Sequence, residues 1–247
     1  MKIVHATWEL RNLGVDCKEI TVESNDGLEE LKHVLQAHET EYTVLRLPVA
    51  RTDLLFLAHD LGYRFIETMT YSYHMGEAFN LNSIQKRIVS RISWRRMDDA
   101  GLTEMFDRIE RGMFTTDRVS LDPHFSRDLV LKRYVHWIND ELAKGGRVFK
   151  MLYDERDLGF FTLRRQSEDV EFAFLNGIYD EFRTSGFGFA CHYCEILESF
   201  RSGAKRVFTA YSSNNRGAAA VHLGMGHVLH QQCYVFVKHG QRRVCGE

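Results

Sequence analysis

The sequence predicts an α/β chain, an α+β mixed sheet in which a small leading α/β unit precedes a larger one. Three observations carry that prediction. Stretches with apolar residues at helical spacing take turns with stretches of β-branched and aromatic residues along the whole length. Only 2 prolines occur, Pro48 and Pro123, and no Ser/Gly/Pro-rich run interrupts the pattern. Near the C-terminus a strand-like block, Val170 to Tyr179, passes through Arg183-Thr-Ser-Gly-Phe-Gly188 into a helical block, Phe189 to Phe200.

Taken in order, Asn25-Asp-Gly27 is a turn and helix start, and Leu28, Leu31, Val34 and Leu35 form one apolar helix face. Tyr42 to Leu47 alternates as a strand and ends at Pro48. Thr52 to Leu61 reads as a helix stopped by Gly62, and Tyr63 to Tyr71 as the next strand. Residues 76–87 are the least patterned, which places a boundary between domains at 1–85 and 86–247. Lys86, Arg87, Arg91, Arg95 and Arg96 read as the protective charges of a solvated edge strand. Ile88 to Trp94 is predicted as a strand. Asp98 or Asp99 caps a helix carrying Leu102, Met105, Phe106 and Ile109. Phe114 to Pro123 is irregular, Ser126 to Ala143 helical, and Arg147–Tyr153 with Gly159–Leu163 a hairpin. Val207 to Tyr211 is a strand, Asn215 to Gly224 a short helix, and Cys233 to Lys238 a closing strand.

Composition bounds the function. At 247 residues, 44% hydrophobic and 27% charged, the chain is an ordinary soluble one. A net charge of −2 gives no broad basic surface, so no nucleic-acid partner is expected. No apolar run has the length of a signal peptide core or a membrane span, which points to a cytoplasmic protein without a membrane partner. The 5 cysteines are odd in number and scattered, as in reducing compartments. Cys191-His-Tyr-Cys194 has no second pair to complete four ligands and reads as helix packing. The 12 histidines show no ligand spacing, so no metal is expected.

The glycine loop carries the chemistry. A glycine turn feeding a helix N-terminus aims unpaired backbone N–H groups and the helix dipole at one point, which suits a phosphate or pyrophosphate. Neither Gly-x-Gly-x-x-Gly nor Gly-Lys-Ser/Thr is present.

From Ile88 onward the order β-α-α-β-β-β-α-β-α-β, with Arg-x-x-Gly-x-Gly after the fourth strand, resembles the GNAT family of acetyl-CoA-dependent N-acetyltransferases. Arg183, Gly186 and Gly188 match that family's pyrophosphate loop. Its later signature, Asn, Ala, Tyr, then Gly-Phe, is met by Asn215, Ala218, His222, Gly226 and His227, so two aromatic positions hold histidine. The leading unit, Phe114-Thr-Thr-Asp-Arg118 and Tyr134-Val-His-Trp-Ile138 resemble the nucleotide-sugar N-acetyltransferase branch (dTDP-fucosamine type).

The resemblance implies a GNAT fold and acetyl-CoA as co-substrate. It also implies a small amine acceptor, with a nucleotide-linked amino sugar favoured; an antibiotic, polyamine or protein amine, and an acyl-CoA-binding module without turnover, are the alternatives. A homodimer is allowed for. Arg183, Thr184, Ser185, Gly186, Phe187, Gly188 and Phe189 are expected to cradle the pyrophosphate. Asn176, Gly177 and Ile178 are expected to line the thioester, with a bulge at Gly177 freeing an N–H for the oxyanion. Asn215 either binds the cofactor arm or caps its helix. His222 stands where the family's thiolate-protonating Tyr is expected, and Tyr211 is the second candidate acid. Glu67, Asp117 and Asp122 are the acidic residues expected near the acceptor, and Arg118 and His136 are the candidate contacts to its sugar or diphosphate.

Overall fold

One mixed sheet runs through the chain. The computed structural model describes residues 1–76, 79–183 and 185–240. In chain order the elements are β1 (Lys2–His5), α1 (Thr7–Leu13), β2 (Cys17–Thr21), α2 (Leu28–Ala37), β3 (Tyr42–Pro48), α3 (Thr52–Asp60) and β4 (Arg64–His74). Then come α4 (Ser83–Val89), β5 (Ile92–Arg96), α5 (Asp99–Glu110), α6 (Arg127–Ala143), β6 (Arg147–Tyr153), β7 (Arg156–Ser167) and β8 (Val170–Ile178). A 3₁₀ turn (Asp180–Phe182), α7 (Gly188–Arg201), β9 (Arg206–Ser212), α8 (Arg216–Gly224) and β10 (Val228–His239) complete it. The strand order is β1-β2-β3-β10-β4-β9-β8-β7-β6-β5, with β2–β3 and β8–β9 parallel. Among the described residues no helix is long and apolar enough to cross a membrane.

The closing strand β10 lies between β3 and β4, pairing with both. Segments 1–85 and 86–247 therefore share one sheet. They also share one core: Tyr42 and Val44 pack in the same cluster as Met105, Ile138, Phe160 and Phe174, on the face covered by α1, α5 and α6. Strand alternation divides the side chains between faces. Phe149, Phe161 and Ala173 point instead to α7, with Cys191 and Cys194, and Leu45 and Phe236 point to α2 and α3. The two cysteines are buried helix packing, with their thiols pushed up by burial.

Three local expectations change. Residues 88–91 are not strand: Asn82 and Gln85 form a reciprocal capping box that starts α4, which runs to Val89 before β5 begins at Ile92. Lys86 and Arg87 belong to that helix, whereas Arg95 and Arg96 do sit on β5, the sheet edge. The β6–β7 hairpin turns on Asp154 and Glu155, both at positive φ, and β7 then extends to Ser167.

A buried ion network ties α1 to α6. Glu9 is fully buried and accepts from Arg133 Nε at 3.0 Å and from Arg118 at 3.1 Å. Arg118 also reaches Glu19 on β2 at 2.8 Å, and Arg46 on β3 reaches Glu19 at 2.9 Å. Burial by itself would raise the Glu9 carboxyl, but Arg133 and Arg118 outweigh it and hold it below its ordinary value. Removing one member of such a set strands the others. Glu9→Ala is expected to cost about 3–5 kcal/mol in urea unfolding. Removing the exposed Arg11–Asp140 pair, which also joins α1 to α6, by Arg11→Ala is expected to cost under about 1 kcal/mol. Equal losses would show that the network contributes no more than a surface pair.

Candidate active site

Parallel strands β8 and β9 pair only from Val170–Arg206 to Ala173–Thr209, then part. A bulge in β8 accompanies the parting. On β7, Phe161 faces Asn176 and Leu163 faces Ala173, so β8 spends one more residue than its neighbour over this span. The buried Thr162 hydroxyl fills the gap, donating to the Leu175 carbonyl at 2.7 Å and accepting from its N–H at 2.8 Å. The expected bulge at Gly177 is therefore displaced toward Leu175, and Gly177 stays in register with Phe160. A Cβ there would meet the tip of the Met113 side chain.

At the mouth of the parting, the glycine loop enters α7. Phe187 and Phe189 are buried and anchor it, Phe187 against Tyr153 and Phe182, while Ser185, Gly186 and Gly188 face solvent. Gly186 has φ +76°, which a side chain rarely adopts. No side chain caps α7, so its first-turn N–H groups form the anion-binding end expected of such a helix. Arg183 is half exposed, bonded to the Met113 carbonyl at 3.1 Å and paired with Asp180. Thr184 lies outside the described residues.

Across the parting runs a polar chain. Asn176 on β8 donates to Glu195 on α7 at 2.8 Å. Glu195 Oε2 is 3.2 Å from His192 Nδ1, without the alignment of a hydrogen bond. The His192 ring meets His222 on α8 at 4.2 Å, and His222 meets Tyr211 on β9 at 4.5 Å. His227 and His74 continue the cluster, 4.7 Å from His222 and 5.2 Å from His227 respectively. Each of these four histidines has one buried ring nitrogen without a partner. His192 and Glu195 were missed from the sequence, although His192, Glu195 and Ser199 fall on one face of α7 and all three are buried.

The geometry fixes what His222 can do. Its Nδ1 lies 2.7 Å from the Ala218 carbonyl, a contact that requires the proton on Nδ1 and leaves Nε2 as an acceptor. Burial, then the neighbouring His192, lowers its pKa to about 3. The expected role of His222 as proton donor to the thiolate is thereby corrected: its free nitrogen carries no proton at neutral pH. Tyr211, half-buried beside it, bears the available O–H. Asn215 caps α8, accepting from Ala218 N at 3.0 Å.

On the other face of the sheet, Glu67, Asp117 and Arg118 come close enough for their charges to act on one another. Glu67 on β4 is buried, its pKa raised by burial against the opposing Ser212, and one carboxylate oxygen is unpartnered. Asp117 accepts from the Tyr134 and Ser120 hydroxyls and the Val119 N–H. Arg118 is committed to Glu9 and Glu19, which gives it a packing role. His136 bonds Asn12 on α1, and Asp122 bonds His239.

No protein-family model matches the sequence, and no curated protein does. Solved structures do match. A GCN5-related N-acetyltransferase from Sphaerobacter thermophilus superposes with a TM-score of 0.57 at 12% identity, over 85% of this chain and 64% of that one. The fold is that of the GCN5-related N-acetyltransferases. This chain thus spans 64% of the length of the Sphaerobacter protein. A conserved Staphylococcus epidermidis protein of unknown function superposes with a TM-score of 0.64 at 10% identity over 92% of this chain and 85% of its own. A GCN5-related glucosamine N-acetyltransferase region of a fungal multi-domain β-N-acetylglucosaminidase gives 0.59 at 13% identity over 96% of this chain and 31% of that one.

The buried histidines make stability depend on pH. A folded-state pKa of about 3 for His222, against an ordinary histidine value of about 6.5, means that the unfolded chain binds the extra proton. Stability is therefore full above the unfolded value and falls as pH drops below it. At pH 5 this one group is expected to remove about 2 kcal/mol. The check is urea unfolding of the wild type and His222→Phe at pH 7 and pH 5; an equal pH loss in both would sink the assignment.

Proposed function

We propose that the chain transfers the acetyl group of acetyl-CoA to the amine of a small acceptor. The observation that carries this reading is the parting of β8 and β9 with an uncapped helix N-terminus and a glycine loop at its mouth. An extended thioester arm fits between strands that have given up their ladder, and its anionic end fits the loop. In this reading the pyrophosphate takes the N–H groups of residues 185–189 and the Arg183 guanidinium. The arm lies along Asn176 to Ile178, whose backbone polar groups no longer face β9.

The amine attacks the thioester carbon from the α6 face. A C–N bond forms, the C–S bond breaks, and the departing thiolate takes the Tyr211 proton. Glu67, whose pKa is raised by burial, takes the proton lost by the amine. The His222 ring packs against Tyr211 at 4.5 Å and holds the phenol in place by contact. An amino sugar is the favoured acceptor. It is supported by the fungal neighbour described as a glucosamine N-acetyltransferase, and its attachment to a nucleotide by the layout of the leading unit and the 114–118 segment.

The test is release of free thiol from acetyl-CoA with a panel of amines that includes free and nucleotide-linked amino sugars. Turnover with at least one amine is expected. Tyr211→Phe is expected to lower kcat about 10²-fold with little change in the KM for acetyl-CoA, and Arg183→Ala to raise that KM. CoA binding without thiol release for any amine would leave a binding module and overturn the reading. Undiminished turnover by Tyr211→Phe would overturn the choice of acid.

A further inference from the structure

At the opposite end of β10 from His227, three side chains of metal-binding chemistry meet. Asp122 and His124 come from the loop before α6, and His239 from the last position of β10. Every pair of their ligand atoms lies within 4.8 Å. His239 Nε2 is 2.7 Å from Asp122 Oδ2, and His124 Nδ1 is 3.4 Å from Asp122 Oδ1, so each ring addresses one carboxylate oxygen. The two rings stack face to face at 3.7 Å and 10°.

A His–Asp hydrogen bond alone would need only Asp122 and His239. It gives no reason for a second imidazole over the first, facing the same carboxylate. Two of the three groups are also held in place. Asp122 is 4% exposed and accepts the His124 N–H at 3.1 Å, and His239 is packed by Tyr42 at 4.9 Å and Phe125 at 5.5 Å. His124 is the exposed member, with 56% of its side chain accessible, so it is free to swing. A cavity of about 380 Å³, lined by all three along with Arg64, Phe65 and Lys238, gives an ion a way in. Lys238 is already paired with Glu39 at 3.0 Å.

We infer that Asp122, His124 and His239 form a binding site for a first-row divalent transition metal, with Zn²⁺ the best match. Two imidazole nitrogens and one carboxylate oxygen select such an ion over Mg²⁺ or Ca²⁺. Bonds of about 2.0 Å put ligand atoms roughly 3.3 Å apart in a tetrahedron, and the three ligand atoms already lie within 4.8 Å of one another. The fourth position opens on the cavity, to water or an anion. The ion clamps the 117–125 loop to the end of β10. It stands apart from the acetyl-transfer reading, which requires no metal.

Full-length protein without a polyhistidine tag would be titrated with Co²⁺ and followed by its visible d–d absorption. One ion per chain is expected, with Zn²⁺ competing it away and raising the melting temperature. His124→Ala, a change at an exposed residue that removes only the ring stacked on His239, is expected to weaken binding by at least roughly tenfold and to abolish the Zn²⁺ stabilisation. Asp122→Asn, checked for folding by circular dichroism, is expected to do the same. Absence of the Co²⁺ bands in the wild type, or their persistence in His124→Ala, overturns the site.

Discussion

The parting of β8 from β9 is the constraint around which the rest of the molecule is arranged. A parallel pair that stops after Ala173–Thr209 leaves backbone polar groups on both strands without their ladder partners, and buried groups of that kind cost about 1–3 kcal/mol each if nothing replaces the bonds. Two devices limit that cost. The Thr162 hydroxyl serves both the N–H and the carbonyl of Leu175 where β8 bulges. Farther along, helices α7 and α8 close over the gap with the chain Asn176–Glu195–His192–His222–Tyr211, which joins β8 to β9 without a backbone bond between them.

Holding two strands apart demands stiffness elsewhere, and the first 75 residues supply it. β4 flanks β9 to its last residue, pairing Met69 with Ser212, and β10 backs β4 along its length. Beneath them, Glu9, Glu19, Arg46, Arg118 and Arg133 lock α1, β2, β3 and α6 into one polar core. That core lies on the α6 face of the sheet, where Glu67 and Asp117 also point. The leading segment is thus a wall of the candidate acceptor side as much as a unit of its own.

Much of the fold was legible because it follows local rules. Helices α2, α3, α5, α6 and α7 declare themselves by apolar spacing, and the element order from β5 onward matches the sequence pattern. What escaped depends on tertiary partners. The capping box of α4 outcompetes the β-branched Ile88 and Val89, which taken alone read as strand. β10 extends back to Val228 because β4 offers it a partner there, and Val228 to His230 are exposed and carry no core pattern. Asp122 and His239 bond across a separation of 117 residues, so no spacing rule could join them. His192 sat inside a segment conspicuous for its cysteines, while the informative feature was polarity on the helix's buried face.

The two histidines that stand where aromatic residues are expected fit this picture. The His222 ring turns its Nδ1 back to Ala218 and presents an unprotonated Nε2 inward, against His192. His227, between α8 and β10, contacts His74, His192 and His222. Burial, and then the neighbouring His192, His222 and His74, lower the pKa of His227 to about 2, so its own ring is neutral at neutral pH. A neutral, acceptor-rich patch beside Tyr211 favours a phenol that keeps its proton until a stronger base appears next to it. A departing thiolate is such a base once it is cut off from water, because desolvation strengthens the attraction of its charge for a nearby O–H. In the proposed reaction the donor sits on β9 rather than on α8, at the same end of the parting.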